Sequence, residues 1–259
     1  MLSNTAAVTT SPSPRPKPAA AIEPTTVLRS FNTWAFKREQ PSEPERLLQH
    51  IGRNIRRQSP IAFVLYWGKG PRMTVAAPER ACLAYLDSLG QRIAAVYPPG
   101  AHFTLCLTDT HARLNGHREA TIERYFDEVG EAASAFGMET VRLSTLVEQL
   151  NGQSPAAASC PDTILDDLER CAAKWFRGGG DPREGARRYL SMNMIESLAV
   201  ETHLPDSIFM TFNGSAYRPM FPQSLPVFYM YSMRKGMSVK PWFLDADGRP
   251  FESASASAA

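Results

Sequence analysis

An alternation of short apolar segments with amphipathic segments constrains the fold of this 259-residue chain more than any other feature. The segment "IAFVLYW" (61–67) is continuously apolar and rich in branched and aromatic residues, which is typical of a strand covered on both faces. Further strands are predicted at 101–109 and 138–144, and helices at 78–98 and 118–137 separate the three. This order predicts right-handed crossovers and a parallel sheet.

Further elements are predicted on either side of this pattern. They are helices at 43–57, within 160–180 and at 181–205, and strands at 206–213, 225–233 and 239–245. The whole pattern predicts an α/β protein with an open, mostly parallel, Rossmann-like sheet of five or six strands and flanking helices. Ligands of such sheets bind beyond the carboxyl ends of the strands, so the residues at those ends are the candidates for function.

The composition and the two ends of the chain set the expected domain organisation. Hydrophobic residues make up 43% of the chain and charged residues 21%, which is typical of a globular domain. The start, rich in Pro, Ala, Ser and Thr, and the low-complexity end cannot bury a core. We therefore expect a disordered tail over 1–27, a single α/β catalytic domain over 28–252 and a second disordered tail over 253–259.

Charge, hydropathy and cysteine spacing argue against several classes of function. A net charge of +2 creates no strong field for nucleic acid or an acidic membrane. No apolar run approaches the roughly 18 residues of a membrane helix, and the start lacks the pattern of a secretory signal. The four cysteines form no CxxC pair, so neither a metal site nor a disulfide framework is expected. A cytoplasmic, reducing location is the expectation.

The first predicted strand is followed by "GKGPR" (68–72), which places two cations directly after a buried segment. The glycines allow the backbone to approach a ligand closely, while Lys69 supplies a compact charge and Arg72 a forked donor. This combination predicts a clamp for a phosphate or a carboxylate. A solvated turn explains the same residues equally simply, and the spacing of a Walker loop is absent.

Polar residues also mark the ends of other predicted strands. Asp109 ends the second strand and His111 follows closely, so both can face one crevice, where an acid can orient an amine or accept a proton. Alternatively, Asp109 is a cap or turn former and His111 is simply exposed. Thr211 and Asn213 share one face of the strand at 206–213, although Asn213 before a glycine also suits a turn.

The remaining candidates lie on a loop, on a helix and on the last predicted strand. Arg218 is a second candidate ligand for an anion. Asn193 and Glu196 lie one and two helical turns beyond Tyr189, so they can point together at a cleft or form an ordinary polar face. Trp242 either closes the core or walls a pocket for an aromatic substrate.

Five motifs occur in the order found in a known family: "YWGKGPR" (66–72), "AAVYPPGAHFTLCLTD" (94–109), "ARLNGHREATIERYFDEV" (112–129), "IFMTFN" (208–213) and "KPWF" (240–243). On these motifs the chain resembles the isocyanide (isonitrile) synthases, the family grouped with pyoverdine and dityrosine biosynthesis proteins. The resemblance is most specific over 97–109. The chain departs from the family at four positions. Asn213 and Phe243 stand where the family has histidines, Phe209 stands where it has an arginine, and Thr110 stands where it has a glycine.

The resemblance implies an enzyme of secondary metabolism that condenses the amine of an amino acid with the ketone of ribulose 5-phosphate, so that the sugar donates the isocyanide carbon. It implies no metal or redox cofactor for this step. A downstream Fe(II)/2-oxoglutarate oxygenase or another pathway enzyme is the implied partner. The residues that match these demands are Asp109, Lys69 and Asn213 as catalytic residues, and Arg72, His111, Tyr189, Thr211, Arg218 and Trp242 as substrate-binding residues.

Two alternatives stay open from the sequence. The first is a diverged enzyme on the same fold that modifies an amino acid but makes no isocyanide. The second is a noncatalytic protein that binds an amino acid or a partner enzyme. Product analysis with amino acids and ribulose 5-phosphate distinguishes the three, since only a binding protein is stabilised by a ligand without turnover.

Overall fold

The computed structural model describes residues 22–68, 73–152, 161–175 and 181–230. Its centre is a sheet formed by β1 (Ile61–Trp67), β2 (Ala101–Leu107), β3 (Glu139–Arg142), β4 (Ile208–Thr211) and β5 (Val227–Tyr229). The five strands pair in parallel throughout, in the order β3-β2-β1-β4-β5. The predicted α/β class with an open, parallel, Rossmann-like sheet is therefore confirmed. The strand predicted at 239–245 lies outside the described residues.

Strand β1 occupies the middle of the sheet, and this position explains its continuous apolar sequence. Phe63 pairs with Phe103 of β2 on one side and with Ile208 of β4 on the other. Successive side chains of a strand point to opposite faces, so a central strand with both faces covered needs an apolar residue at nearly every position. Phe63 and Leu65 accordingly join one core cluster, while Val64 joins the other.

Helices cover both faces of the sheet. They are α1 (Pro24–Phe31), α2 (Pro44–Arg57), α3 (Ala77–Ala94), α4 (Asp109–Leu114), α5 (Glu119–Ser134), α6 (Leu143–Glu148), α7 (Asp162–Trp175) and α8 (Pro182–His203), with a 3₁₀ helix at Ser215–Met220. The apolar faces of α1, α2, α3 and α5 form one core with the sheet, and those of α6, α7 and α8 form the other. No helix of the described residues is long and apolar enough to cross a membrane.

The helix starts follow from local chemistry. Helices α2, α3 and α8 each have a proline in the first turn, where the missing N–H is not needed for a helical hydrogen bond. Asp181 precedes α8, and its carboxylate accepts a hydrogen bond from the backbone N–H of Arg183. Glu79 reaches back to the backbone N–H of Ala76 at the start of α3. Each contact satisfies a backbone donor that the helix itself leaves unpaired.

The structure corrects the expected boundaries at three places. Helix α1 begins at Pro24 and Val27 is fully buried, so the predicted tail over 1–27 is too long by residues 24–27. Strand β2 ends at Leu107, and the acid expected at its end, Asp109, instead begins α4. The strand expected over 138–144 is shorter, since its last two residues begin α6. Short helices after strands carry too few residues to show a period in the sequence.

Candidate functional site

A pocket of about 110 Å³ lies at the carboxyl ends of β1, β2 and β4. This is the edge at which parallel α/β sheets bind their ligands. Four of the residues predicted for the site line this pocket together, and they are His111, Tyr189, Thr211 and Asn213. The apolar part of the wall includes Phe209, which stands where the resembled family has an arginine.

One histidine of the pocket wall pairs with a carboxylate from a distant part of the chain. Nε2 of His111 lies 2.6 Å from Oε2 of Glu196, whose side chain is fully buried. Thr110 donates its hydroxyl to the other oxygen, Oε1. Both carboxylate oxygens are therefore engaged, which holds the carboxylate and, through it, the imidazole ring in one orientation.

Helix α8 contributes a polar face to the same region. Tyr189 and Asn193 line the pocket, and Glu196 follows one turn later. The ring of Tyr189 lies 4.8 Å from the ring of His111, measured between centroids. Asn193 is only 4% exposed, and its Oδ1 has no hydrogen-bond donor among the described residues. A buried amide oxygen of this kind is suited to accept a hydrogen bond from a ligand.

The ends of β1 and β2 approach each other closely beside the pocket. The backbone N–H of Thr108 donates to the carbonyl of Trp67 over 3.0 Å. A Cβ at Gly68 would lie 2.8 Å from the hydroxyl oxygen of Thr108, so only glycine fits there without displacement. Gly68 and Thr108 both line the pocket, and the chain therefore leaves β1 directly at the site.

Asp109 lies beside this pocket but is not part of its lining. Its buried carboxylate accepts hydrogen bonds from the backbone N–H of Ser144 (3.1 Å), the hydroxyl of Ser144 (2.5 Å) and the guanidinium of Arg113 (2.7 Å). Burial alone raises the pKa of Asp109, but the hydrogen bonds from Ser144 and Arg113 outweigh burial and hold the pKa below its usual value. These contacts fasten α4, which carries His111, to the start of α6.

Arg218 also lies outside the pocket lining. Its guanidinium donates to Oε2 of Glu43 over 3.0 Å and to the carbonyl oxygens of Pro222, Gln223 and Leu225. It therefore ties the 3₁₀ helix at Ser215–Met220, which contributes pocket residues, to the residue that precedes α2. Its predicted role as an anion ligand stays a prediction, as do the roles of the other predicted site residues.

Three predicted residues, Lys69, Arg72 and Trp242, lie outside the described residues. The same holds for Phe243, which stands where the resembled family has a histidine. Asn213, which also stands where the resembled family has a histidine, lines the pocket. Within the described residues no cluster of three His, Cys, Asp or Glu side chains is suited to hold a metal ion.

The pairing of Glu196 with His111 is the main feature of the site that the sequence did not predict. The spacing of Tyr189, Asn193 and Glu196 on one helical face was the available signal, and it indicated a cleft or a polar surface equally well. The partner residues are 85 positions apart in the chain, and no local pattern connects them. Cys82 and Cys106 are buried core residues, and burial raises the pKa of both thiols.

The fold and the pocket together define an open, parallel α/β protein with a cavity at the carboxyl edge of its sheet. No protein-family model and no curated protein matches the sequence. Among solved structures, the crystal structure of the PvcA protein from Pseudomonas aeruginosa is similar with a TM-score of 0.65 and 20% identity, over 85% of this chain and 87% of that chain. The crystal structure of tyrosyl-tRNA synthetase complexed with L-tyrosine, from Archaeoglobus fulgidus, is similar with a TM-score of 0.45 and 15% identity, over 90% of this chain and 69% of that chain. The likeness to PvcA shows a shared fold.

Proposed function

We propose that this protein is an isocyanide synthase-like enzyme that condenses the amine of an amino acid with the ketone of ribulose 5-phosphate. The observation that carries the proposal is the pocket at the carboxyl edge of the sheet, where His111, Tyr189, Thr211 and Asn213 lie together. The sequence motifs that resemble the isocyanide synthase family, and the fold shared with PvcA, support this class of enzyme.

The reaction begins with a carbon–nitrogen bond, and its needs match the character of the pocket. The amino group must lose a proton before its lone pair attacks the ketone carbon. The carbonyl oxygen must then gain protons to leave as water. A pocket for this step needs a group that exchanges protons and acceptors that orient an amine. An imidazole at His111 and an unpaired amide oxygen at Asn193 supply both kinds of group.

Both apolar and polar side chains line the pocket, and the two kinds suit the two ends of an amino acid. Phe209, Met220 and Phe221 offer apolar surface for a side chain. Thr211 and Asn213 offer hydrogen bonds, and the hydroxyl of Thr211 already accepts one from the backbone N–H of Asn213 over 3.1 Å. We assign the amino acid to this cavity with its polar end towards these two residues.

The sugar phosphate is assigned to the residues that follow Gly68. Gly68 lines the pocket, and Lys69 and Arg72 come next in the sequence with the charges that a phosphate requires. The three residues follow the carboxyl end of the central strand, which is where α/β sheets bind anionic ligands. Lys69 and Arg72 thus stay the predicted phosphate ligands.

Mass spectrometry of the purified protein with pooled amino acids and carbon-labelled ribulose 5-phosphate tests the proposal. An isocyanide that carries the labelled carbon supports it. A different adduct supports the diverged enzyme. Thermal stabilisation by an amino acid without any product supports the noncatalytic binding protein, and it overturns the proposed reaction.

A matched pair of threonine variants shows whether a product arises in this pocket. Thr211→Val removes a hydroxyl from the pocket wall and keeps the branched shape of a strand residue. Thr140→Val makes the same change on β3, outside the pocket lining. We expect Thr211→Val to weaken amino-acid binding about 5- to 10-fold, the effect of one hydrogen bond, and Thr140→Val to have no effect.

A further inference from the structure

We propose that His111 is the residue that moves protons in this pocket, with Nδ1 as the reacting nitrogen and Glu196 as the residue that positions it. The identity of the substrates rests on the proposed function. The assignment of the proton-moving group rests on the geometry of the pair, and it differs from the sequence-based expectation that Asp109 has this role.

The hydrogen bonds of the pair select one nitrogen of the imidazole. Nε2 of His111 lies 2.6 Å from a carboxylate oxygen of Glu196, and an ionised carboxylate can only accept. Nε2 is therefore the donor, and the neutral ring carries its acceptor lone pair on Nδ1. No hydrogen bond to Nδ1 forms within the part of the chain that the structure describes. Nδ1 is the nitrogen that can take a proton from a ligand while the pair stays intact.

The burial of Glu196 stabilises the charge that such a proton creates. The side chain of Glu196 is fully buried, and within the described residues His111 is the only positively ionisable group within 4.0 Å of it. When Nδ1 takes up a proton, the imidazolium forms next to this carboxylate, which compensates the new charge at short range. The hydroxyl of Thr110 holds the second carboxylate oxygen in place.

The neighbours of the ring limit its freedom and complete a site for an amine. The centroid of the Tyr189 ring lies 4.8 Å from that of the His111 ring, so the imidazole contacts both an aromatic ring and a carboxylate. Asn193 lines the same pocket with a buried Oδ1 that lacks a donor among the described residues. A substrate ammonium group can donate one N–H to Asn193 and give a proton to His111.

The chemistry balances with these groups alone. Nδ1 removes one proton from the ammonium, and the freed lone pair forms the carbon–nitrogen bond as the carbon–oxygen π bond opens. The imidazolium returns its proton to the oxygen, which gives a carbinolamine whose nitrogen still carries two protons. Nδ1 then takes one of these protons and delivers it to the hydroxyl, which leaves as water while the nitrogen lone pair forms a carbon–nitrogen double bond. Nδ1 accepts the last nitrogen proton, which leaves a neutral imine.

Asp109 supports the position of His111 from outside the pocket. Its carboxylate is occupied by Ser144 and Arg113, and it does not line the cavity. It fastens the helix on which His111 stands. Asp109 thus acts on the reaction through the position of α4.

The test compares two histidine variants in steady-state assays with ribulose 5-phosphate and the amino acid that gives a product. His111→Gln keeps an amide donor for Glu196 and removes the proton acceptor. His102→Gln is the matched control, because His102 pairs with the exposed Glu139 at the far end of β2. We expect His111→Gln to lower kcat about 100- to 10,000-fold with a much smaller change in KM, and His102→Gln to leave both unchanged. Full kcat in His111→Gln overturns the proposal.

The positioning role of Glu196 is read from the pH profile. Glu196→Gln keeps the shape and still accepts from Nε2, but it removes the charge that compensates the imidazolium. We expect the acidic limb of the kcat profile to move to lower pH in this variant, while the melting temperature stays close to that of the wild type. An unchanged pH profile overturns this part of the proposal.

Nitrogen-15 NMR of the five histidines separates the failure of this inference from the failure of the proposed function. If the wild type forms no isocyanide, the proposed function fails. The NMR spectrum then still tests the proposed roles of His111 and Glu196, because it does not depend on turnover. A neutral His111 with its proton on Nε2, whose Nδ1 signal moves when amino acids are added, supports the proposal. A proton on Nδ1, or a signal that no amino acid shifts, overturns it.

Discussion

His50 is a buried histidine on α2, and it makes the stability of the fold depend on pH. Its side chain is 1% exposed, and its Nε2 is buried without a hydrogen-bond partner among the described residues. Nδ1 lies 3.1 Å from the guanidinium of Arg53. Burial, and then the charge of Arg53, lower the pKa of His50 from 6.5 to about 4.

The sign and size of the effect follow from this pKa. The neutral form is favoured in the fold, so the stabilisation is fully present above the unfolded pKa of 6.5 and is lost as the pH falls towards 4. The difference between the two pKa values corresponds to about 3 kcal/mol of unfolding free energy, since each pH unit of separation is worth about 1.4 kcal/mol. A loss of this size is a large part of the total stability of a typical domain.

Urea denaturation of the wild type and of His50→Gln at a series of pH values between 7 and 4 measures this contribution. The glutamine keeps an oxygen that accepts from Arg53, but it does not titrate. Carboxyl groups contribute equally to both proteins, so the difference between the two curves isolates His50. We expect the wild type to lose about 3 kcal/mol more than His50→Gln over this range. Parallel curves for the two proteins would refute the reasoning, and His102→Gln serves as the exposed control.

Three further predictions address the site and the start of the chain. Asp109→Asn removes the charge that holds α4 to α6, so we expect turnover to be lost and the unfolding free energy to fall by about 1.5–3 kcal/mol; undiminished kcat contradicts this. Lys69→Ala and Arg72→Ala should each weaken ribulose 5-phosphate binding about 10- to 150-fold in calorimetric titrations. Their effects should be non-additive if both residues bind the phosphate, whereas unchanged affinity in both variants would indicate a solvated turn without a binding role. A chain that starts at Ile22 should keep its melting temperature, while removal of α1 should lower it strongly because the helix buries three apolar side chains; equal melting temperatures would show that α1 adds nothing.

The sheet could be predicted from the sequence because each strand carries its own signal. The bounds of β1 agree with the apolar segment 61–67, since a strand buried on both faces shows in every residue. Helices α4 and α6 could not be predicted, because six residues are too few to reveal a helical period. Helix α1 follows a Pro-, Ala-, Ser- and Thr-rich segment, so the composition extends the predicted tail into the helix as far as Val27, one of its three buried residues.

The site was predictable only where topology determines position. Parallel strands place their carboxyl ends along one edge, so residues that follow different strands, such as His111 and Asn213, could be expected to meet. The hydrogen bonds from Ser144 and Arg113 to the carboxylate of Asp109 could not be predicted from the sequence, because they depend on the packing of α4 against α6. The pair of His111 and Glu196 likewise depends on how α8 lies across the end of the sheet.

Of residues 97–109, the most specific part of the resemblance, only Thr108 lines the pocket, so most of this motif has another role. The hydroxyl of Tyr97 donates to the carbonyl oxygens of Asn54 and Ser59 at the end of α2. Gly100 adopts a positive φ of 72° and its carbonyl accepts from the backbone N–H of Ile61, so this turn sets the start of β2 beside β1. The motif therefore maintains the fold, and a chain can keep it while its chemistry diverges. The departure at Asn213 falls inside the pocket, where an imidazole is nevertheless present at His111. A labelled isocyanide among the products, rather than the presence of the motif, is thus the finding that places this protein within the isocyanide-forming reaction.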